Sequence, residues 1–148
     1  MKHRVAGKKF SRDHGARKAL FKGLINSLIL HNQIKTTESR AKRTRSLVEK
    51  LVTKAKKGSL HSRRLIFAFL QNSQAVDRLM HDIAPVFKGR PGGFTRVVKI
   101  GGLRRGDSTK TARIEWVENI VATKVKKSSA AEKAGSKKVV KKSVKKNK

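Results

Sequence analysis

Apolar residues recur every three or four positions between residues 13 and 30, and this spacing predicts a first helix. Ser11 or Asp13 supplies the polar side chain that caps such a helix at its N-terminus. The second half of the segment is apolar on nearly every side, which is typical of a helix buried in a core. The predicted inward stripe consists of Ala16, Leu20, Gly23, Leu24, Ser27 and Leu28.

The clearest amphipathic pattern follows a short strand-like segment at residues 33–36 and continues to about residue 57. Thr36 or Thr37 is the expected cap at the start of this second helix. Its outward positions are almost wholly cationic, apart from Glu38, which precedes Lys42 by four residues and so predicts a surface ion pair. The predicted inward stripe is Ala41, Thr44, Leu47, Val48, Leu51, Val52 and Ala55.

Two shorter helices are predicted next. Ser62 is the expected cap of a helix at residues 63–70, which is rich in large apolar side chains. An Asn-Ser pair at residues 72–73 caps a helix at residues 74–82. Pro85 is expected to end that helix, because proline lacks the backbone N–H that a continuing helix needs.

Two segments near residue 100 have the alternation of strands. Residues 95–100 and 111–117 predict an antiparallel hairpin joined by a long basic loop at residues 101–110. Trp116 is in phase with the inward side chains of the second strand, whereas Phe94 fits either the core or a stack on an unpaired base. The order α-β-α-α-α-β-β indicates an α+β fold with helices packed on a small sheet.

The net charge of the chain indicates which class of molecule it binds. The 148 residues carry 39 Lys and Arg against 9 Asp and Glu, a formal net charge of +30. Self-repulsion of this size destabilises a compact state unless a polyanion neutralises it, which favours a nucleic acid over an anionic membrane. We predict a basic arm at residues 1–12, a core domain at residues 13–120 and a disordered lysine-rich tail at residues 121–148.

The two terminal segments predict different contacts. Residues 121–148 contain 11 Lys, no Arg and one acid, Glu132, which suits phosphate binding without sequence preference. Residues 1–12 contain arginines and Phe10, which suit forked hydrogen bonds and stacking. Because such an arm has no core of its own, it is expected to become ordered only against an RNA partner.

The chain offers little for catalysis, redox chemistry or metal binding. Cysteine is absent, which excludes disulfides and thiolate chemistry. Ser39 and Lys42 have S-x-x-K spacing, but the other motifs of a serine acyl-enzyme are missing. Asp77 and His81, four residues apart, predict a helical ion pair rather than a metal site. We therefore expect no enzymatic activity, cofactor, metal or transmembrane helix.

Four ordered segments resemble one family, the bacterial large-subunit ribosomal protein number seventeen, over about residues 1–118. They read MKHR with GKKF near the N-terminus, IKTTESRAK at residues 34–42, RPGGFTR at residues 90–96 and RRGD at residues 104–107. Four motifs in the right order form a more specific signal than any one of them. Ala16 is a departure, because members of the family usually have histidine there.

The resemblance implies a structural, cytoplasmic constituent of the large ribosomal subunit that binds large-subunit rRNA near the exit-tunnel side. It also implies neighbouring large-subunit proteins as partners, including the small protein numbered thirty-two. The fold that it implies has helices on a small mixed sheet. We expect neither a membrane partner nor a homo-oligomer.

The placement of charge predicts that the arm, the second helix and the hairpin loop contact RNA phosphates. The free N–H groups at the start of the second helix are a further candidate for a phosphate. A nucleoid-type DNA-binding protein is the alternative, since a lysine-rich tail also suits it, and a membrane-active protein is less favoured. The predicted rRNA-binding residues are Lys2, His3, Arg4, Lys8, Lys9, Arg12, Arg17, Lys18, Lys22, Lys35, Thr36, Thr37, Arg40, Lys42, Arg43, Arg45, Arg63, Arg90, Phe94, Arg96, Arg104 and Arg105.

Overall fold

The helices and strands follow the order that the sequence predicts, which confirms the α+β class. A computed structural model describes residues 8–120. The predicted contacts of Lys2, His3 and Arg4 and the predicted disorder of residues 121–148 lie outside these residues. The helices are α1 (His14–His31), α2 (Glu38–Lys56), α3 (Leu60–Leu70), α4 (Ser73–Arg78) and α5 (Ala84–Val86), with a π-helical turn (Leu79–Ile83) between the last two. The strands are β1 (Gln33–Thr37), β2 (Thr95–Leu103) and β3 (Lys110–Trp116).

The strand β3 lies at the centre of a three-stranded sheet with the order β1-β3-β2. Both pairings are antiparallel, so the mixed sheet implied by the family resemblance is not found among the described strands. The reason is that β3 returns from a hairpin with β2 and meets β1 running in the opposite direction. In register, Ile114 of β3 lies opposite Ile34 on one side and Val97 on the other.

The core is formed by all five helices and one face of the sheet, on which α2 packs; we call this face the inner face. Ala112, Ile114 and Trp116 alternate on this face and are buried, as the pattern of the strand predicts. The rings of Phe87 and Phe94 lie 5.3 Å apart between centroids, and Phe87 also contacts the Trp116 ring at 5.9 Å. These aromatic contacts fill the space where the hairpin meets the helices.

Two predicted helix caps are confirmed. The Asp13 side chain accepts a hydrogen bond from the Ala16 backbone N–H at 3.2 Å and begins α1. The Asn72 side chain accepts from the Ala75 backbone N–H at 3.2 Å and begins α4. Each cap satisfies one of the backbone donors that the first turn of a helix leaves unpaired.

Two other predicted helix starts need correction. Ser59, not Ser62, caps α3, because its hydroxyl accepts from the Ser62 N–H at 3.1 Å and Ser62 lies buried inside the helix. Thr37 occupies the cap position of α2, but its side chain makes no capping hydrogen bond. Both Thr36 and Thr37 belong to β1, so the strand runs directly into the helix.

Most residues of the predicted inward stripe of α1 are not buried in the structure. Ala16 and Gly23 are exposed, and Leu28 is the one residue of the predicted stripe that is buried. The second half of this helix is apolar on nearly every side, so spacing alone leaves the buried face undetermined. The buried residues are Phe21, Ile25, Leu28 and Ile29.

Two predicted boundaries are also wrong. Pro85 does not end the fourth helix: a π-helical turn, in which the Ala84 N–H donates to the Leu79 carbonyl, widens the helix before Pro85 and lets it continue to Val86. The strand β2 extends to Leu103 through an irregular pairing at its two glycines, where Gly102 adopts a φ of 92°. The hairpin loop is therefore shorter than predicted.

Among residues 8–120, Arg78 is the only buried cation, and it ties α4 to the end of α1. Its guanidinium donates to the Leu30 carbonyl and, at 2.9 Å, to the Asn32 side-chain oxygen. Asn32 ends α1 in the left-handed conformation, with φ of 66°. Carbonyls at a helix C-terminus carry partial negative charge, so they stabilise this buried guanidinium.

Removing the Ile114 side chain tests whether the core depends on β3. We expect Ile114→Ala to lower the free energy of unfolding by about 2–5 kcal/mol, because it leaves a cavity at the centre of the sheet. Leu103→Ala is the matched control on β2, where the side chain is 60% exposed, and its effect should stay below about 0.5 kcal/mol. Urea unfolding of the full chain measures both, and equal midpoints for the two variants would contradict this account.

Candidate nucleic-acid interface

The surface of α2 carries a stripe of cations without acidic partners. The stripe is formed by Arg40, Arg43, Lys50, Lys54 and Lys57, which follow one another at separations of three, seven, four and three residues. Because each residue turns the helix by about 100°, these separations place the five side chains within about 100° of one another around the helix axis. The stripe is about 25 Å long, at 1.5 Å per residue. Among residues 8–120, none of the five makes an ion pair. We call this surface the α2 stripe; it consists of Arg40, Arg43, Lys50, Lys54 and Lys57.

The opposite flank of α2 is electrically different because it holds both acidic residues of the helix. Glu38 pairs with Lys42 at 2.7 Å, which confirms the predicted pair, and it also lies 3.9 Å from Lys99. The hydrogen bond from Lys42 is the main cause that lowers the pKa of Glu38 below its ordinary value. Glu49 pairs with Arg45 at 3.0 Å. Lys42 and Arg45 are thus less available to a phosphate than the α2 stripe.

The described end of the basic arm, residues 8–12, lies against the helices without any partner. The Phe10 ring packs edge-on against Phe21, with 5.4 Å between centroids. Lys8 donates to the Ser39 hydroxyl at 3.4 Å, which places the arm beside the first turn of α2. Phe10 therefore has a packing site on α1 within the chain itself.

Two predicted RNA-binding arginines hold this segment in place. Arg12 donates to the Phe10 carbonyl at 2.9 Å. Arg17 donates to the Arg12 carbonyl at 3.2 Å and to the Lys9 carbonyl at 3.5 Å. Sequence reasoning missed this role, since spacing does not show which carbonyls an arginine reaches. Each guanidinium has five donors, so these bonds leave N–H groups for a further acceptor.

The hairpin loop is held by an ion pair between Arg104 and Asp107. The Arg104 Nε atom donates to the carboxylate at 2.9 Å, and its Nη2 atom makes a second, shorter contact. The hydrogen bond from Arg104, followed by that from the Thr109 side chain, holds the pKa of Asp107 well below its ordinary value. Arg105 is exposed beside this pair and makes no ion pair in the described part of the chain.

The remaining predicted residues are spread over other surfaces. Arg63 pairs with Asp77 at 2.5 Å and Arg90 with Glu118 at 3.4 Å, so both have acidic partners. Lys22 donates to the Gln71 side chain on α3 at 2.5 Å, and Lys18 lies exposed one turn earlier on α1. The structure therefore gathers the α2 stripe and the arm. Of the remaining residues, Arg90 lies at the C-terminal end of α2, where its carbonyl accepts from Lys56 at 2.6 Å, whereas Arg63, Lys18 and Lys22 lie on other helices.

Phe94 is removed from the candidate interface. Its ring is 1% exposed and packs between Phe87 and the Lys56 ammonium group, which lies 5.3 Å from the ring centroid. The stacking role considered for Phe94 is therefore wrong, whereas the predicted core position of Trp116 is confirmed. From sequence alone, a single aromatic residue beside two glycines does not show whether its side chain points into the core or toward solvent.

The other chemistry considered for the chain is not assembled in the described residues. Asp77 pairs with Arg63 on α3 rather than with His81, because the side chain of α3 lies nearer. No three His, Asp or Glu side chains converge on a possible metal position anywhere in residues 8–120. Within the same residues, no helix combines the length and apolar character needed to cross a membrane.

The fold and this surface define a small α+β domain with a strongly basic surface. The family model described as ribosomal protein L17 matches residues 20–117. The chain belongs to the ribosomal protein L17 family, a structural and non-enzymatic family, which makes it a ribosomal protein located in the cytoplasm.

Curated relatives cover most of the chain. The large ribosomal subunit protein bL17 of Paramagnetospirillum magneticum is 48% identical over 124 residues, or 84% of this chain and 88% of the relative. The protein of the same name from Nitratidesulfovibrio vulgaris is 46% identical over 123 residues, or 83% of this chain and 92% of the relative. That of Dictyoglomus thermophilum is 48% identical over 117 residues, which span 79% of this chain and the whole relative.

The Arg104–Asp107 pair predicts how the hairpin loop responds to acid. The folded-state pKa of Asp107 is depressed, so the pair contributes stability above the ordinary aspartate pKa and loses it as the pH falls through the folded value. NMR titration of the Asp107 carboxyl carbon should therefore give a midpoint well below about pH 3.9. Arg104→Gln should return the midpoint to the ordinary range. A wild-type midpoint already in that range would contradict the ion pair.

Proposed function

We propose that the chain is a structural constituent of the large ribosomal subunit that binds ribosomal RNA and stabilises its packing. The α2 stripe carries this proposal: five cations lie along one side of a helix, and no described acid pairs with them. Such a row is unfavourable in a free protein because the like charges repel one another. Phosphates of an RNA backbone would relieve that repulsion and release their counterions.

The described end of the arm extends the same surface. Lys8 and Phe10 line a groove with Ser39, Lys42 and Arg43 beside the first half of α2. Glu38 also lines the groove and is paired with Lys42, so the groove adds chiefly the Lys8 ammonium group beside the Arg43 guanidinium of the α2 stripe. Shape and phosphate recognition suit A-form RNA, whose bases are hard to reach in a narrow major groove. The proposed contact is therefore mainly with the RNA backbone.

Family membership supports assembly into the large subunit together with rRNA and other ribosomal proteins. We propose a position near the exit-tunnel side, with the small protein numbered thirty-two among the neighbours, on the basis of the family resemblance of the sequence. Apart from Phe94, the predicted interface residues outside the α2 stripe and the arm remain proposals that rest on the placement of charge. Of these, Lys35 and Arg96 lie on the sheet and Arg104 and Arg105 at the hairpin loop.

Replacing two members of the α2 stripe tests the proposal. In lysate sedimented through a gradient at moderate salt, the wild-type chain should travel with the large subunit. Arg40→Gln/Arg43→Gln should leave the subunit at lower salt, because about two phosphate contacts are lost. The control Arg64→Gln/Lys88→Gln removes the same charge from other surfaces and should behave like the wild type. A wild-type chain found free or with the chromosome would contradict the ribosomal function and favour a DNA-binding one.

Deleting residues 121–148 tests the proposed role of the tail. The slope of log affinity for RNA against log salt should fall by several units, since 11 lysines are removed and each phosphate contact contributes about 0.7–0.9. Incorporation into the subunit should persist, because the α2 stripe and the arm remain. Large subunits from cells that express only the truncated chain measure this, and subunits that lack it would refute the prediction.

A further inference from the structure

The face of the sheet that points away from α2, which we call the outer face, carries a second group of cations. Ala112, Ile114 and Trp116 turn inward, so Arg113 and Glu115 turn outward. Lys35 lies directly opposite Arg113 on β1, and Arg96 lies directly opposite Glu115 on β2. Residues from all three strands therefore meet on this face. We call the group the outer-face site: Lys35, Arg96, Arg113 and Glu115.

One carboxylate holds both arginines of this site. The Arg96 Nε atom lies 2.7 Å from Glu115 Oε1, and the Arg113 Nε atom lies 2.7 Å from Glu115 Oε2. The Nη groups of the two guanidiniums are not engaged by this carboxylate. A guanidinium has five N–H donors in a planar fork, four of them on the Nη atoms, so each side chain keeps a pair of N–H groups for another acceptor.

The exposed fractions of the side chains show whether the cations or the carboxylate of the outer-face site face the solvent. The Glu115 side chain is 14% exposed, whereas those of Arg96 and Arg113 are 59% and 45% exposed. The carboxylate thus lies beneath the two guanidiniums, and a ligand that approaches the sheet meets cations first. Glu118 lines the same groove as Arg96 and Glu115, and its carboxylate is paired with Arg90 at 3.4 Å.

The site keeps an excess of positive charge that needs an anion. Lys35 makes no ion pair among residues 8–120, and like charges directly opposite on neighbouring strands destabilise a sheet. Glu115 neutralises only one of the three cations. Two fixed guanidinium forks beside a free ammonium match a phosphodiester, which accepts paired hydrogen bonds.

We infer that the outer face of the sheet is a second RNA-backbone site, in which Arg96, Arg113 and Lys35 bind phosphate and Glu115 is a positioning residue. This inference rests on the proposed RNA-binding function and deepens it. Since α2 packs on the inner face, the α2 stripe and the outer-face site lie on different sides of the domain. The domain would thereby hold two RNA segments together rather than coat one.

Bridging of two RNA duplexes tests the second site. Two 20-base-pair RNA duplexes, one with a donor dye and one with an acceptor dye, are mixed with the full-length protein, and energy transfer is recorded during a salt titration. Arg96→Gln/Arg113→Gln should weaken capture of the second duplex about tenfold and lower its salt slope by about 2. The control Arg64→Gln/Lys88→Gln has the same net charge and should bridge as the wild type does.

Replacing Glu115 separates positioning from simple charge. Glu115→Gln raises the net charge by one, so electrostatics alone predicts tighter binding of the second duplex. Positioning predicts weaker binding, by about threefold to tenfold, because the two guanidiniums lose their shared acceptor. Glu118→Gln makes the same change in charge in the same groove but breaks no ion pair of Arg96 or Arg113, so it should bind the second duplex no more weakly than the wild type. Thermal melting of each variant shows whether the fold is retained.

The outcomes distinguish this inference from the proposed function. A wild-type protein that binds neither duplex contradicts the RNA-binding function itself. If it binds one duplex but Arg96→Gln/Arg113→Gln bridges as well as the control, the second site is wrong while the function stands. Tighter capture by Glu115→Gln overturns the positioning role. If the outer face binds an acidic protein instead of RNA, these variants should bridge the two duplexes as well as the wild type does.

Discussion

The strict alternation of side chains along β3 is the constraint on which the rest of the domain depends. This strand pairs on both sides, so neither of its edges is free, and its inward residues supply the floor of the core. A shift of one residue that turned β3 over would bring Arg113 and Glu115 to the inner face in place of Ile114 and Trp116. Burying those charges without partners costs several kcal/mol. The register of three strands is therefore enforced by a single sequence pattern.

The strong positive charge of the chain is compatible with this core because the charges are sorted by surface. Where acids are present, they lie next to cations that would otherwise crowd the domain, as Glu38, Glu49 and Glu115 show. Where acids are missing, the cations stand in a row along α2. The uneven distribution of only a few carboxylates thus shapes the surface more than the many lysines and arginines do.

Periodicity predicted the element order, the inward face of α2 and the inward face of β3, because each has one clearly apolar side. It failed for α1, whose second half is apolar all round, and for the start of α3, since Ser59 and Ser62 both satisfy the same capping rule. The cationic face of α2 was predictable as a whole. Its division into a paired flank and an unpaired stripe was not, because it depends on the side on which Glu38 and Glu49 fall.

Arg78 shows that a basic residue in a basic protein need not be a contact with RNA. Its guanidinium donates hydrogen bonds to oxygen atoms at the end of α1, so it links α4 to α1 inside the protein. A count of cations would include Arg78 among the candidate RNA-binding residues, although its side chain is buried in the protein. Loss of this side chain would consequently appear as a defect of the isolated protein, detectable in the absence of RNA, whereas loss of an arginine of the α2 stripe, such as Arg43, would appear only when RNA is added.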